Sequence, residues 1–484
     1  MTLTIVGLGP GDIDDLSRKA WRVLKNAKAV YLRTSRHNCV PCLPQSDTVY
    51  QSFDELYDSS EKFDEVYETI VSQLLTAAQT EDVVYAVPGD PLVGESTTIR
   101  ILNRAKDAGI DVEIVHGISF IEPMLRAVGV DALDGLQILD GIDIAAMHHP
   151  PINPDFPALI GQVYSKQVAS NVKLTLMNQY PDEFTVTLIH SAGTGDEIVE
   201  TVPLYEIDRS QQINHLTSLY LPALGEMSSF EHFQEIIAHL RAPEGCPWDR
   251  KQTHESLRQY LIEEAYEVLD AIENDDPVAL YEELGDILLQ VVLHTQIAID
   301  DGEFQMSDVL RHVNAKMIRR HPHVWGQVDV NGNSEQVVTN WEALKRQEKA
   351  DKGEDDTSLL DSIPKGLPAL LQAHHYQSRA AKVGFDWAQI EDVSAKVREE
   401  LDEIAQAETD DERRDEFGDL MFVLVNWARW LKIEPEMALK DANSKFYRRF
   451  HYIEQQVRAQ GKQMTDYTLD QLDALWDEAK VTGL

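Results

Sequence analysis

Residues 263–286 read EEAYEVLDAIENDDPVALYEELGD, and this stretch decides the fold of the C-terminal half. Glu263 and Glu267 are one helical turn apart, as are Glu283 and Asp286, so each pair should lie on one helix face. The polar break between the two helices is short, which predicts an antiparallel helical hairpin. The hairpin would bring the two carboxylate pairs face to face, where a bound cation relieves their mutual repulsion.

The acidic hairpin is repeated downstream. Residues 399–419, EELDEIAQAETDDERRDEFGD, contain both acidic motifs in the same order. A basic cluster with the spacing i, i+3, i+4 follows each copy: Lys316, Arg319 and Arg320 in the first, Lys445, Arg448 and Arg449 in the second. These cations share one helix face and can clamp phosphate oxygens. One acidic run is usually a solvated surface, but a surface has no reason to recur with a basic partner, so we favour a metal site.

The ligand chemistry indicates a hard cation. Both acidic motifs run directly into apolar segments, 287–293 and 420–425, where an unpaired carboxylate is costly. Mg²⁺ prefers oxygen ligands, keeps several waters and is often completed by substrate phosphates. The sequence therefore predicts a Mg²⁺ site whose coordination is completed by the phosphates of a substrate.

Together with CPWD at 246–249 and RRHPH at 319–323, these motifs resemble the MazG family of nucleoside triphosphate pyrophosphohydrolases. The resemblance implies an all-α helical domain with two tandem repeats, which dimerises and cleaves nucleoside triphosphates to monophosphates and diphosphate with Mg²⁺. It also implies the metal ligands, which are Glu263, Glu267, Glu283 and Asp286 in the first copy and Glu399, Glu403, Glu416 and Asp419 in the second. Hydrolysis would then be metal-assisted, and Glu264 or Glu400, which is not among these ligands, would accept the proton of the attacking water. Both copies keep every acid, so the sequence leaves open which copy is catalytic.

The N-terminal half has a different pattern of predicted secondary structure. Short β-branched runs alternate with helical stretches, which predicts an α/β fold with a largely parallel sheet. The predicted strands are 3–6, 29–32, 83–87, 112–115, 173–177 and 185–190. We expect a helix over 229–240 to lead from this half into the helical one, in which we predict no strand.

Three turns follow predicted strands: VGLGPGD at 6–12, VPGDPLVG at 87–94 and HGIS at 116–119. They resemble motifs of the tetrapyrrole methylase family, which uses S-adenosylmethionine. The resemblance implies a two-lobed α/β domain with the cofactor in the cleft between the lobes. It places cofactor contacts at Gly89, Asp90 and Pro91, with Gly9, Pro10 and Gly11 shaping the cleft. His116 and Phe120 depart from the family, which usually has proline and a small residue at these positions.

The order of the two halves resembles the YabN-type fusion, in which a methylase-like domain precedes a MazG domain. We expect domains at 1–225, 226–350 and 351–484, with a charged linker at 349–357. A homodimer through the helical half is expected, because helical hairpins with this much apolar surface need a partner. Two alternatives stay open. One is a methyltransferase whose helical half only dimerises or senses nucleotides, and the other is a sensor without turnover.

Composition limits the partners. The chain has 43 basic and 83 acidic residues, a formal charge of −40, which argues against nucleic acid or an anionic membrane as partner. Three cysteines in 484 residues exclude a disulfide framework and fit a reducing cytoplasm. No run reaches the roughly 18 apolar residues of a membrane helix, and the first residues lack the pattern of a signal peptide. We therefore expect a cytoplasmic enzyme that acts on a small nucleotide.

Overall fold

The computed structural model describes residues 1–44, 48–59, 62–351 and 358–483. The chain divides into two compact units, Met1–Val309 and Leu310–Leu484, and the division falls inside one helix. Each unit is described by itself. The strands are β1 (Thr2–Gly7), β2 (Ala29–Leu32), β3 (Val49–Ser52), β4 (Val83–Val87), β5 (Asp111–Val115), β6 (Gln137–Asp140), β7 (Ala158–Gly161), β8 (Thr185–His190), β9 (Ile198–Pro203) and β10 (Thr217–Leu221).

Helices connect the strands and make up the rest of the chain. Up to Ala145 they are α1 (Arg18–Asn26), α2 (Asp54–Ser59), α3 (Phe63–Ala77), α4 (Ser96–Ala105), α5 (Ile121–Val128) and α6 (Gly141–Ala145). Further along they are α7 (Lys166–Leu176), α8 (Phe230–Arg241), α9 (Arg258–Glu273), α10 (Pro277–Asp301), α11 (Met306–Arg320), α12 (Pro322–Trp325) and α13 (Ser334–Asp351). The last five are α14 (Ala369–Lys382), α15 (Ile390–Gln406), α16 (Asp410–Trp430), α17 (Pro435–Ala459) and α18 (Leu469–Val481).

The first sheet is parallel throughout, with the strand order β3-β2-β4-β1-β5. Its central strands are buried on both faces, as β-branched strands flanked by crossover helices require. Leu3 and Ile5 pack with helices α3 and α4 on one face, and Val6 and Leu24 belong to the core on the other. The order places β1 between β4 and β5, so the turns that follow these three strands meet at one edge of the sheet.

The second sheet has the order β6-β7-β10-β8-β9 and is mostly antiparallel. Only β6 and β7 run parallel, which differs from the largely parallel arrangement expected from the sequence. The physical reason lies in the connections, because the turn between β8 and β9 is too short for the helical crossover that parallel neighbours need. With the first sheet it forms the predicted two-lobed α/β half.

One predicted strand is wrong. Residues 173–177 belong to helix α7 and to its C-terminal cap, not to a strand. Ser165 caps the helix by accepting a hydrogen bond from the amide of Val168, and the buried residues Ala169, Val172 and Leu176 recur at helical spacing. The helical period begins several residues before 173, so the short apolar run by itself does not show it.

Helix α8 begins one residue after the predicted start, with Ser229 as its N-cap. Asp155, in the α/β half, accepts hydrogen bonds from the amide and hydroxyl of Ser228 at 2.7 and 2.8 Å and from the hydroxyl of Ser229 at 2.5 Å. This bonding crosses the predicted domain limit at residue 225. The predicted limits therefore stay predictions, while the first compact unit extends to Val309.

Long helices form the remainder, and no strand follows β10 in the part of the chain that the structure describes. Ile237, Leu257, Val292 and Ile297 form the apolar core that joins α8 to α10. Of the predicted linker, residues 349–351 are the end of α13, and residues 352–357 lie outside the described residues. Among the described residues no helix is both long and apolar enough to cross a bilayer.

Candidate metal and cofactor sites

Helices α9 and α10 form the predicted hairpin. Asp276 sets its geometry by capping α10, accepting hydrogen bonds from two amides while Pro277 occupies the first helical position. Glu264 and Glu267 on α9 and Glu283 on α10 each offer a carboxylate oxygen, and these oxygens lie within 4.8 Å of one another. We call this trio the first acidic cluster.

The carboxylates of the first acidic cluster oppose one another's ionisation. Burial, followed by the charges of Asp286 and Glu267, raises the pKa of Glu264 above its ordinary value. Burial and then Glu267 raise the pKa of Glu283 in the same way. The charge of Asp286 thus acts on Glu264, although the Asp286 side chain is not one of the trio.

Helices α15 and α16 repeat the hairpin, with the start of α16 held by a capping box between Thr409 and Glu412. Here Glu400, Glu403 and Glu416 bring carboxylate oxygens within 4.8 Å, and we call them the second acidic cluster. Glu400 is only 3% exposed, and its Oε2 has no hydrogen-bond partner among the described residues. A buried carboxylate oxygen without a partner is costly, and a cation would satisfy it.

Lys396 distinguishes the second cluster from the first. Its ammonium lies 2.8 Å from Glu400 Oε1, 2.9 Å from Glu399 Oε1 and 3.9 Å from Glu403 Oε2. These contacts, led by the bond to Glu400, raise the pKa of the Lys396 ammonium. Tyr260 holds the corresponding place in the first copy. The sequence analysis missed Lys396, although its position three and four residues before the two glutamates was a usable signal.

The clusters differ from the ligand sets that the family resemblance implied. Glu264 and Glu400, expected to accept a proton, lie inside the trios, whereas Glu263 and Glu399 are exposed and outside them. The reason is the direction of each position on its helix. The first two members of each trio are three residues apart and face the partner helix, whereas the glutamate one residue earlier, Glu263 or Glu399, points to solvent. Glu267, Glu283, Glu403 and Glu416 stand in the trios as expected. Asp286 and Asp419 are exposed and outside both trios.

The two basic segments also differ. Arg319 and Arg320 on α11 are bound to Glu348 on α13, at 2.7 and 2.6 Å, and lower the pKa of this carboxyl to about 2. In the second segment Lys445 and Arg448 are exposed and make no ion pair or hydrogen bond with another described residue. Arg449 lies over the ring of Trp476, 5.5 Å from its centre. Lys316 is half-buried on α11.

The raised pKa values of these carboxylates predict that the stability of the fold depends on pH. Burial and neighbouring carboxylates raise the pKa of Glu264, Glu283 and Glu416 in the folded chain above 4.5. The folded state then binds more protons than the unfolded state, so the free energy of unfolding should fall as pH rises above 4.5. We expect thermal unfolding in EDTA to show this loss of stability with rising pH. With Mg²⁺ the loss should be smaller, because a bound cation relieves the repulsion between the carboxylates. If the variant with all three residues changed to Gln kept the same slope in EDTA, this origin would be excluded.

In the α/β half, three glycines meet where β1, β4 and β5 end. A Cβ on Gly117 would lie 2.4 Å from the carbonyl oxygen of Gly89, and one on Gly7 would lie 2.6 Å from the same oxygen. Gly9 and Gly89 exchange backbone hydrogen bonds of 2.8 and 3.2 Å, and both have positive φ. Only glycine permits this approach, because a side chain would collide with the neighbouring backbone. Gly7, Gly9, Gly89 and Gly117 therefore form a surface of backbone atoms at the carboxyl edge of the sheet, which we call the glycine cradle.

This close approach gives a stability prediction. Gly117→Ala should destabilise the α/β half by about 2 kcal/mol, because the new methyl group must displace the Gly89 carbonyl. Urea unfolding would measure the loss. Gly195→Ala is the matched control, since nothing lies within 4 Å of its Cβ position, and we expect it to change stability by less than about 0.5 kcal/mol. Equal stability of the two variants would show that the cradle is not tightly packed.

The implied cofactor contacts lie around this cradle. Asp90 and Pro91 are buried, and the Asp90 carboxylate accepts hydrogen bonds from the amides of Leu92 and Gly117 at 2.8 and 3.2 Å. Pro10 and Gly11 face the second lobe, where a Cβ on Gly193 would lie 3.0 Å from Pro10 Cγ. The structure thus brings the predicted turns together at the boundary between the lobes.

His37 also supports the cradle, which the sequence analysis did not anticipate. Its Nε2 lies 3.0 Å from the Gly9 carbonyl oxygen and its Nδ1 lies 3.1 Å from Cys39 Sγ. Burial raises the pKa of the Cys39 thiol to about 11, so this sulfur is an inert packing group. Both side chains brace the first glycine turn.

Comparison with known proteins finds two different families along the chain. The sequence model of the family described as Tetrapyrrole (Corrin/Porphyrin) Methylases matches residues 2–208, and that of the MazG nucleotide pyrophosphohydrolase domain matches residues 252–325. The uncharacterized protein YabN of Bacillus subtilis is 43% identical over 493 residues, covering 99% of this chain and 98% of that protein. The predicted order of the two halves is confirmed.

Two further relatives match about half of the chain. The nucleoside triphosphate pyrophosphohydrolase/pyrophosphatase MazG of Thermotoga maritima is 46% identical over 251 residues, covering 52% of this chain and 95% of that protein. The nucleoside triphosphate pyrophosphohydrolase of Escherichia coli K12 is 43% identical over 260 residues, covering 52% of this chain and 98% of that protein.

Proposed function

The chain belongs to the family of the Bacillus subtilis protein YabN, and we propose that its helical half is a Mg²⁺-dependent nucleoside triphosphate pyrophosphohydrolase. The observation that carries the proposal is the recurrence of one three-carboxylate cluster at matching positions of two helical hairpins. Two relatives that match about half of the chain over nearly their own full length are named for the same activity, which supports it. The products would be a nucleoside monophosphate and diphosphate.

The second acidic cluster fits Mg²⁺ by its donors. All three side chains offer carboxylate oxygens, and the orphaned Glu400 Oε2 needs a cationic partner. We assign Glu400, Glu403 and Glu416 as ligands, with Asp419 one helical turn away from Glu416. By the same argument Glu264, Glu267 and Glu283, with Asp286, would hold an ion in the first repeat. When bound, Mg²⁺ neutralises phosphate charge and orients a water.

The protein's own side chains supply the remaining chemistry. Lys445 and Arg448 would bind the phosphate oxygens that the ion leaves uncovered, because neither has an ion-pair partner among the described residues. Glu263 or Glu399, which lies next to a cluster residue but outside the trios, would then accept the proton of the water. Glu264 and Glu400 are committed to the clusters, and Lys396 holds Glu399 at 2.9 Å. This assignment exchanges the roles expected from the sequence.

For the α/β half we propose binding of S-adenosylmethionine and a methyltransferase activity. The glycine cradle leaves room for a cofactor, since a Cβ on Gly89 would meet no atom closer than 4.0 Å at the carboxyl edge of the sheet. Gly9, Pro10, Gly11, Gly89, Asp90 and Pro91 would surround the cofactor. Bound there, it supplies an electrophilic methyl group.

The hydrolase proposal is tested by product analysis. Purified protein is incubated with each nucleoside triphosphate and Mg²⁺, and the products are resolved by ion-exchange chromatography. We expect monophosphate with diphosphate, and no turnover in EDTA. Formation of nucleoside diphosphate with orthophosphate, or turnover that persists in EDTA, would contradict the proposal.

We further propose a cytoplasmic homodimer formed through the helical half. The hairpins leave large apolar side chains exposed, among them Ile262, Leu284, Leu401 and Phe417, each more than half exposed. The three cysteines are free thiols, which supports a reducing compartment. Light scattering on the full chain should give twice the monomer mass, and a monomer at micromolar concentration would refute the dimer.

A further inference from the structure

An exposed imidazole is anchored to a buried carboxylate in the α/β half. Asp90 is 7% exposed, and its Oδ2 lies 2.9 Å from His116 Nδ1. The amides of Leu92 and Gly117 hold the same carboxylate in place. Asp90 is therefore a fixed acceptor rather than a mobile surface acid, and it orients the ring of His116.

This contact determines the tautomer of His116. Because the carboxylate can only accept, Nδ1 carries the hydrogen and Nε2 keeps its lone pair in the neutral ring. The His116 side chain is 67% exposed, and no hydrogen bond to another described residue occupies Nε2. A carboxylate behind one ring nitrogen and an open lone pair on the other is the arrangement that prepares a histidine to accept a proton.

The pair stands at the boundary between the two lobes. His116 directly follows β5 and precedes Gly117, which packs against the cradle at Gly89. In the same turn Phe120 reaches the second lobe, where a Cβ on Gly161 would lie 3.0 Å from its Cζ. Both departures from the usual family motif thus lie in this one turn, beside the implied cofactor contacts.

We propose that Asp90 and His116 form a proton-accepting dyad for methyl transfer, and that the methyl acceptor is a hydroxyl, amine or thiol that must lose a proton. As the acceptor atom bonds to the methyl carbon, the carbon–sulfur bond breaks and its electron pair stays on sulfur. The acceptor's proton passes to His116 Nε2, and Asp90 stabilises the resulting imidazolium. A carboxylate acceptor would need no such base. The inference rests on the proposed cofactor binding.

The tautomer is measured without any methyl acceptor. Long-range ¹H–¹⁵N spectra of the full-length protein at alkaline pH, with His116 assigned by its loss in His116→Gln, should show hydrogen on Nδ1. Asp90→Ala should shift the ring toward hydrogen on Nε2, and Asp90→Asn is the second variant should the first not fold. Asp111→Ala, at the exposed opposite end of β5, is the matched control. Hydrogen on Nε2 in the unaltered protein would overturn the dyad.

The place of the dyad is tested with an adenosine that carries an aziridine at its 5′ carbon, which alkylates a nucleophile near the methyl position. We expect peptide mass spectrometry to find the adduct on His116 and His116→Gln to lose at least 10-fold of it. Binding of S-adenosylhomocysteine by calorimetry separates the failures. Without binding, the cofactor proposal is wrong. With binding and an adduct elsewhere or none, the cofactor proposal stands and the dyad is wrong.

Discussion

Glu416→Gln should lower nucleoside triphosphate hydrolysis at least 100-fold, which corresponds to about 2.7 kcal/mol of transition-state stabilisation. The change keeps the shape of the side chain but removes a charged ligand from the second acidic cluster. Because burial and Glu403 already raise the pKa of Glu416, an uncharged side chain should be tolerated by the fold. Initial rates with Mg²⁺ would measure the loss, and the Mg²⁺-induced shift of the unfolding temperature should shrink with it.

Glu283→Gln is the matched control in the first repeat. We expect it to retain activity within about 3-fold, roughly 0.7 kcal/mol, and the double variant with Glu416→Gln to be inactive. The reason is that the second repeat combines a buried carboxylate oxygen without a partner, Glu400 Oε2, with Lys445 and Arg448, which have no ion-pair partner among the described residues. In the first basic segment, by contrast, Glu348 holds two of the cations. The reverse pattern would place catalysis in the first repeat. Full activity of the double variant would refute the metal assignment.

Lys445→Ala combined with Arg448→Ala should lower hydrolysis by about 100-fold, because two charge-assisted contacts to phosphate are lost, at roughly 1.5 kcal/mol each. Neither side chain stabilises the fold through an ion pair to another described residue, so the unfolding temperature should stay nearly constant. Steady-state kinetics should show a higher KM as well as a lower kcat.

The control for the Lys445 and Arg448 double variant is the double variant Arg319→Ala with Arg320→Ala in the first basic segment. These arginines hold Glu348, so their loss should lower the unfolding temperature by releasing a carboxylate whose pKa they keep near 2. Their effect on hydrolysis should be the smaller one. Equal losses of activity without any change in stability for both double variants would show that the two basic segments act alike.

Much of the fold could be predicted from the sequence because its signals are local. The strands at 29–32, 83–87 and 185–190 have the predicted bounds, since continuous β-branched runs are typical of buried strands. The first hairpin was predicted from the short polar break between its two helices, and the second from the recurrence of both acidic motifs. Residues 173–177 were misassigned because a five-residue window cannot separate a buried strand from the apolar face of a helix.

The sequence by itself determined which kinds of chemistry this protein can be proposed to carry. Tandem acidic motifs, basic segments and glycine turns are local patterns, and they sufficed to predict which residue types would meet a metal, a phosphate and a cofactor. Helical phase then decided which glutamate of each pair enters a cluster, so that Glu264 and Glu400 face the partner helix while Glu263 and Glu399 face solvent. Spacing alone fits either choice, because positions i+3 and i+4 both share a face.

Only the tertiary structure decided the partners of these groups. Lys396 among the second carboxylates, Glu348 against two arginines and Asp90 behind His116 are contacts whose outcome depends on how helices and turns pack. The energy of a charge depends on burial and on neighbours within a few ångströms, and both are properties of the folded chain. The physical reason is that hydrophobic periodicity depends on residues close together in the sequence. Electrostatic pairing instead depends on residues that only the folded chain brings within a few ångströms.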